Sequence, residues 1–136
     1  MNMVCACPKG YQPDLEIFRE ACEEAKKTGC TIEIEEDLFE AAKGADVLYT
    51  DVWASMGQEG EQSIRKEALG DYQINAELLK VARPDAIVLH CLPAHRSEEI
   101  TEEVIEGPHS VVFDQAENRL HVQKAIMAML MSDEKI

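Results

Sequence analysis

The chain has 136 residues, 46% of them hydrophobic and 29% charged, and carries a formal net charge of −14. A domain of this size buries roughly two-thirds of its unfolded surface, so neither a metal nor disulfides are needed to hold it together. The acidic balance argues against nucleic-acid binding, which rewards clustered Lys and Arg, and no apolar run approaches the roughly 20 residues of a membrane span.

The first residues hold no charged segment followed by a long apolar stretch, so no signal peptide and a cytoplasmic location are expected. Five cysteines, at 5, 7, 22, 30 and 91, form an odd set without a CxxC spacing. Reduced thiols follow, and no cofactor or metal is expected.

In chain order, "MNMVCAC" is a short strand closed by the turn-rich "PKGYQPD". Asp14 caps a helix in which Leu15, Phe18, Cys22 and Ala25 recur at helical spacing, and Gly29 ends it. "CTIEIE" is a second strand, Asp37 opens the short helix "LFEAAKGA", and "ADVLYTDVW" is a third strand. Helical stretches follow within 61–69, ended by Gly70, and within 75–82. Pro84 precedes the apolar strand "AIVLH". Thr101 with "EEVIEG" forms a short helix ended by Gly107 and Pro108, "SVVF" is a fifth strand, and a long terminal helix runs from Gln115. Parallel strands need helical crossovers, so the alternation predicts an α/β, doubly wound, Rossmann-like fold: a parallel sheet of about five strands with helices on both faces.

Such sheets take ligands beyond the carboxyl ends of their strands. The corresponding loops, "DVWASMG", "HCLPAHR" and "DQAENR", are also the richest in reactive side chains. Asp51, costly to bury without a partner, either caps the following turn or accepts from a ligand ammonium. Ser55, Met56 and Gly57 follow, and Gly57 allows the loop to bend over a ligand. Cys91, beside His90, is a nucleophile, an acid–base group or a polar contact, according to its pKa. Pro93 lacks an N–H and is a candidate cis residue, which would turn the carbonyls of Cys91 and Leu92 inward. Arg119 stands where the helix dipole disfavours a cation, which points to an oxyanion ligand or to an ion pair with Glu117 or a neighbouring chain.

Taken together, "DVWASMGQE", "HCLPAHR" and "FDQAENR" resemble the ornithine carbamoyltransferase family, in order and across essentially the whole chain. "SMG" separates the likeness from aspartate and putrescine relatives. The resemblance implies attack of the ornithine δ-amine on carbamoyl phosphate, giving citrulline and phosphate. It implies that Asp51, Ser55 and Met56 bind ornithine, and that His90, Cys91, Leu92 and Arg119 bind carbamoyl phosphate. Asp51, Cys91 and Arg119 form the catalytic set, and Leu92-Pro93 is the family's cis step. The family's "STRT" phosphate loop and "GDGNN"-like turn are missing. The resemblance therefore implies one ornithine-binding domain over 1–136, without its first strand and helix, without the carbamoyl phosphate domain, and inactive alone. Family enzymes are trimers or larger, with contacts mainly in the absent domain. The competing reading is a non-catalytic amino-acid-binding or interaction module, favoured by the missing phosphate machinery.

Overall fold

A computed structural model describes residues 1–54 and 59–132. Strands β1 (Met3–Ala6) and β2 (Ile32–Glu35) pair in parallel, as do β3 (Val47–Thr50) and β4 (Ile87–His90). Helix α1 (Leu15–Lys27) crosses from β1 to β2, and α2 (Leu38–Ala42) leads to β3; among the described residues the two pairs are separate two-stranded sheets, not the one sheet of about five strands expected. Helices α3 (Gln62–Leu69) and α4 (Ala76–Leu79) lead to β4, followed by α5 (Glu102–Ile105) and α6 (Val112–Met131). The α/β class with parallel strands is as the sequence pattern predicts. None of the described helices is long and apolar enough to cross a membrane.

Local chemistry places most of the boundaries. The Asp14 carboxylate accepts from the backbone N–H groups of Glu16 at 2.9 Å and Ile17 at 3.2 Å, which satisfies two otherwise unpaired donors at the start of α1. Asp37 does the same for α2 through Phe39 and Glu40. Asn75 caps α4 through the N–H of Leu78 at 3.0 Å. Thr101 precedes α5 but makes no such bond, and its hydroxyl is buried without a hydrogen-bond partner among the described residues.

The expected fifth strand is a correction. "SVVF" contributes one parallel bridge, Ser110 to Val88, in which Val88 donates to the His109 carbonyl at 2.8 Å and Val111 donates to the Val88 carbonyl at 3.0 Å. Val112 then begins α6, three residues earlier than the sequence pattern places it. Val112 is fully buried. A short apolar run does not reveal whether it is buried as strand or as the first turn of a helix.

The core lies around β3 and β4, where Leu48 and Val88 pack with Leu78, Ile100, Val104, Ile105 and Val112. β1 is much more open, with Met3 and Val4 exposed. The best-packed part of the molecule is therefore the part that carries the ends of β3 and β4.

Candidate functional site

Parallel register builds the centre of the site. Tyr49 stands opposite Leu89 and Thr50 opposite His90. One further step sets Asp51 across from Cys91, on the face that Tyr49 and Leu89 share, because side chains alternate along a strand. Asp51, His90 and Cys91 each bring a polar atom within 4.8 Å of the others. Asp51 is exposed, and its Oδ1 accepts from the Val52 N–H at 2.7 Å. This bond is to its immediate neighbour, and the exposed carboxylate remains open to solvent on its other side.

The Cys91 thiol is half-buried, with the Asp51 carboxylate within 4.8 Å. Burial first, then the hydrogen bond and negative charge of Asp51, push the thiol above its ordinary value. A thiol so placed keeps its proton near neutral pH and is a poor thiolate nucleophile.

His90 is fully buried. Its Nδ1 accepts from the Leu92 N–H at 2.8 Å, which assigns the ring proton to Nε2, where Glu99 Oε1 accepts it at 3.1 Å. Glu99 Oε1 also accepts from the His95 N–H at 2.6 Å. Both nitrogens of His90 are thus spent inside the chain. Through these bonds the ring shapes the loop. That loop carries Leu92 at φ +54° and a cis Leu92–Pro93 bond. A positive φ is unusual for a branched residue and persists only where surrounding contacts over-determine it. Ion pairs of Arg96 with Glu102 and Glu106 tie the far end of the loop to α5.

The third element is α6. Gln115 Oε1 accepts from the His90 backbone N–H at 3.0 Å, and Gln115 Nε2 lies 3.4 Å from the Tyr49 hydroxyl. Arg119 is one helical turn further on, exposed, and lines a groove of about 400 Å³ with Gln115 and Asn118. Among the described residues it makes no ion pair, so the expected Glu117 partner is not used; Glu117 meets His121 at 3.4 Å instead. Ser55, Met56 and Gly57 lie outside the described residues.

Among the described residues, two groups have the residue types of a metal centre: Asp51, His90 and Cys91, and His95, Glu98 and Glu99. In the first, His90 has no free nitrogen; in the second, Glu98 is held by Lys66 at 2.6 Å. Sequence reasoning missed Tyr49, Gln115 and Glu99. The two-residue period running back from Asp51 could have flagged Tyr49.

Residues 1–130 match the aspartate/ornithine carbamoyltransferase Asp/Orn-binding domain. The chain belongs to the aspartate/ornithine carbamoyltransferase family. Among relatives, the ornithine carbamoyltransferase of Thermococcus kodakarensis is 53% identical over 135 residues, which are 99% of this chain and 43% of that protein. That of Methanothermobacter thermautotrophicus is 57% identical over 133 residues, 98% of this chain and 44% of the relative. The crystal structure of anabolic ornithine carbamoyltransferase from Campylobacter jejuni superposes with a TM-score of 0.90 at 40% identity, covering 98% of this chain and 44% of that one. This carbamoyltransferase domain therefore spans a little over two-fifths of the length of these relatives.

Proposed function

We propose that this chain is the ornithine-binding half of an ornithine carbamoyltransferase that forms citrulline and phosphate from ornithine and carbamoyl phosphate. The observation that carries the reading is the convergence of the Asp51 carboxylate and the Cys91 thiol at the carboxyl ends of β3 and β4. It is strengthened by relatives named ornithine carbamoyltransferase at 53% and 57% identity.

In this reading the δ-amine of ornithine enters between Asp51 and Cys91 and attacks the carbamoyl carbon. A C–N bond forms, the C–O bond to phosphate breaks from the tetrahedral intermediate, and the proton lost by the nitrogen is carried off by the departing phosphate. Asp51 accepts a hydrogen bond from the amine and sets its direction. The Cys91 thiol, held protonated, is a polar contact at the reacting nitrogen rather than a covalent nucleophile. The carbonyls of Cys91 and Leu92 accept from the carbamoyl NH₂. Arg119 meets the anionic substrate, and Ser55 and Met56 complete the ornithine contacts. Such a reaction gains most from holding two reactants in attack geometry and from offsetting charge as it develops, and neither needs a covalent intermediate.

The domain reading is likewise a proposal: residues 1–136 act with a carbamoyl phosphate-binding half, in the cytoplasm, in a trimer or larger assembly of the complete enzyme. A chimaera joining the complementary half of the Thermococcus kodakarensis relative to this chain tests it. Citrulline formation from ornithine, lost in Asp51→Ala, is the expected result. A folded chimaera that binds ornithine without forming citrulline would favour the non-catalytic module.

A further inference from the structure

We propose that Gln115 is a positioning residue for the tip of β4: its side-chain amide takes the place of a missing rung of the sheet and so fixes the peptide that leads into Cys91. Its meaning for catalysis rests on the reading that the Cys91 and Leu92 carbonyls receive the carbamoyl NH₂.

The outer edge of β4 shows why a rung is missing. Ile87 donates its N–H to the carbonyl of Asp46, next to β3, so the peptide groups of Val88 and, two residues on, His90 turn to the opposite edge. There Val88 is held from both sides: its N–H donates to the His109 carbonyl at 2.8 Å and its carbonyl accepts from Val111 at 3.0 Å. The next acceptor of a continued parallel ladder would be the Val111 carbonyl. That oxygen already accepts from the Gln115 backbone N–H, at 2.9 Å, in the first turn of α6. The His90 N–H, beside a fully buried side chain, would then be left unpaired at a cost.

Gln115 returns what its backbone takes. Its side-chain oxygen accepts from the His90 N–H at 3.0 Å. A backbone N–H can only donate, which assigns the oxygen to this end of the amide and the NH₂ to the other. The NH₂ lies 3.4 Å from the Tyr49 hydroxyl, near the outer limit of a hydrogen bond, so the contact to β3 is the weaker of the two. One side chain therefore joins the start of α6 to the tips of both strands. It acts on the peptide group immediately before Cys91 and Leu92, where a tilt of the strand end re-aims both carbonyls.

Amide hydrogen exchange, resolved by residue in NMR spectra of the chain, tests the rung directly. The amides of Val88 and Val111, on the same edge, serve as references. Gln115→Leu keeps the bulk and should speed exchange at His90 by about tenfold relative to both references, the scale of one lost hydrogen bond. Gln115→Glu keeps an acceptor of the same reach and should restore slow exchange while giving up the Tyr49 contact. Equal acceleration at all three amides would reduce Gln115 to a general packing residue, and no change at His90 would mean that the rung is not made; either result overturns the proposal. In the chimaera, Gln115→Leu should lower kcat on the order of tenfold with little change in KM for ornithine, and Gln115→Glu should recover most of the loss. Faster exchange at His90 with unchanged kcat would overturn the positioning role. A chimaera that is inactive with Gln115 in place would overturn the transferase reading and the catalytic meaning with it, while exchange at His90 still decides whether Gln115 holds the strand tip.

Discussion

Two adjacent glutamates show what one residue's surroundings do to the same side chain. Glu98 is an ordinary ion-pair partner of Lys66, whereas Glu99 is fully buried and takes hydrogen bonds from His90 and the His95 backbone. Nothing in "SEEI" distinguishes them, since burial is decided by the fold around the pair. His90 and Cys91 were legible because titratable residues straight after an apolar strand are unusual; what their side chains touch was not. His90→Ala should leave the Leu92 N–H without its acceptor and the Glu99 carboxylate short of a donor. The expected loss is about 2–4 kcal/mol of stability, read as a lower urea midpoint with an unchanged slope. A midpoint equal to wild type would show that the loop does not depend on the buried ring. The raised Cys91 thiol also fixes a sign. Only the thiolate alkylates, so wild-type labelling at Cys91 should be slow at pH 7 and climb as the pH passes above the ordinary thiol value. Fast labelling at pH 7 would contradict a protonated thiol at the site.

At the scale of elements, the boundaries read correctly from sequence are those written in adjacent residues. Asp14 and Asp37 cap the helices they precede, and Gly29 ends α1 with φ +71°. Asp14→Ala should cost about 1 kcal/mol, seen as a lower thermal midpoint, and an unchanged midpoint would show that this cap adds nothing. "SVVF" misled because its burial comes from tertiary packing against β4, which satisfies a helix entry as readily as a strand. The far half of α6 presents Val122, Ile126, Met129 and Leu130 to solvent. An apolar helix surface of that kind invites association. Ile126→Glu with Leu130→Glu should therefore reduce binding of a hydrophobic dye and sharpen the size-exclusion peak; dye binding that ignores both changes would place the sticky surface elsewhere.

For the whole molecule, what was legible was the order of elements and the reactive ends of β3 and β4; "DQAENR" is the start of α6 rather than a loop, and the approach of these parts was a matter of register and helix placement. Asp51 and Cys91 meet because β3 and β4 pair in parallel with Thr50 opposite His90, a pairing no local pattern states. Arg119 stands one turn beyond Gln115 on α6, in a groove lined by that helix's own residues. The chain spans 43% of its Thermococcus kodakarensis relative. Alone it should make little or no citrulline, and near-normal turnover by the purified chain would refute the need for a second half. The central claim, that Asp51 and Cys91 act together on one amine, is tested most directly by a double-mutant cycle in the chimaera, using Asp51→Asn, Cys91→Ala and both. Groups in contact should couple by about 0.5–3 kcal/mol in kcat/KM for ornithine. Strictly additive losses would mean that the carboxylate and the thiol serve separate ends.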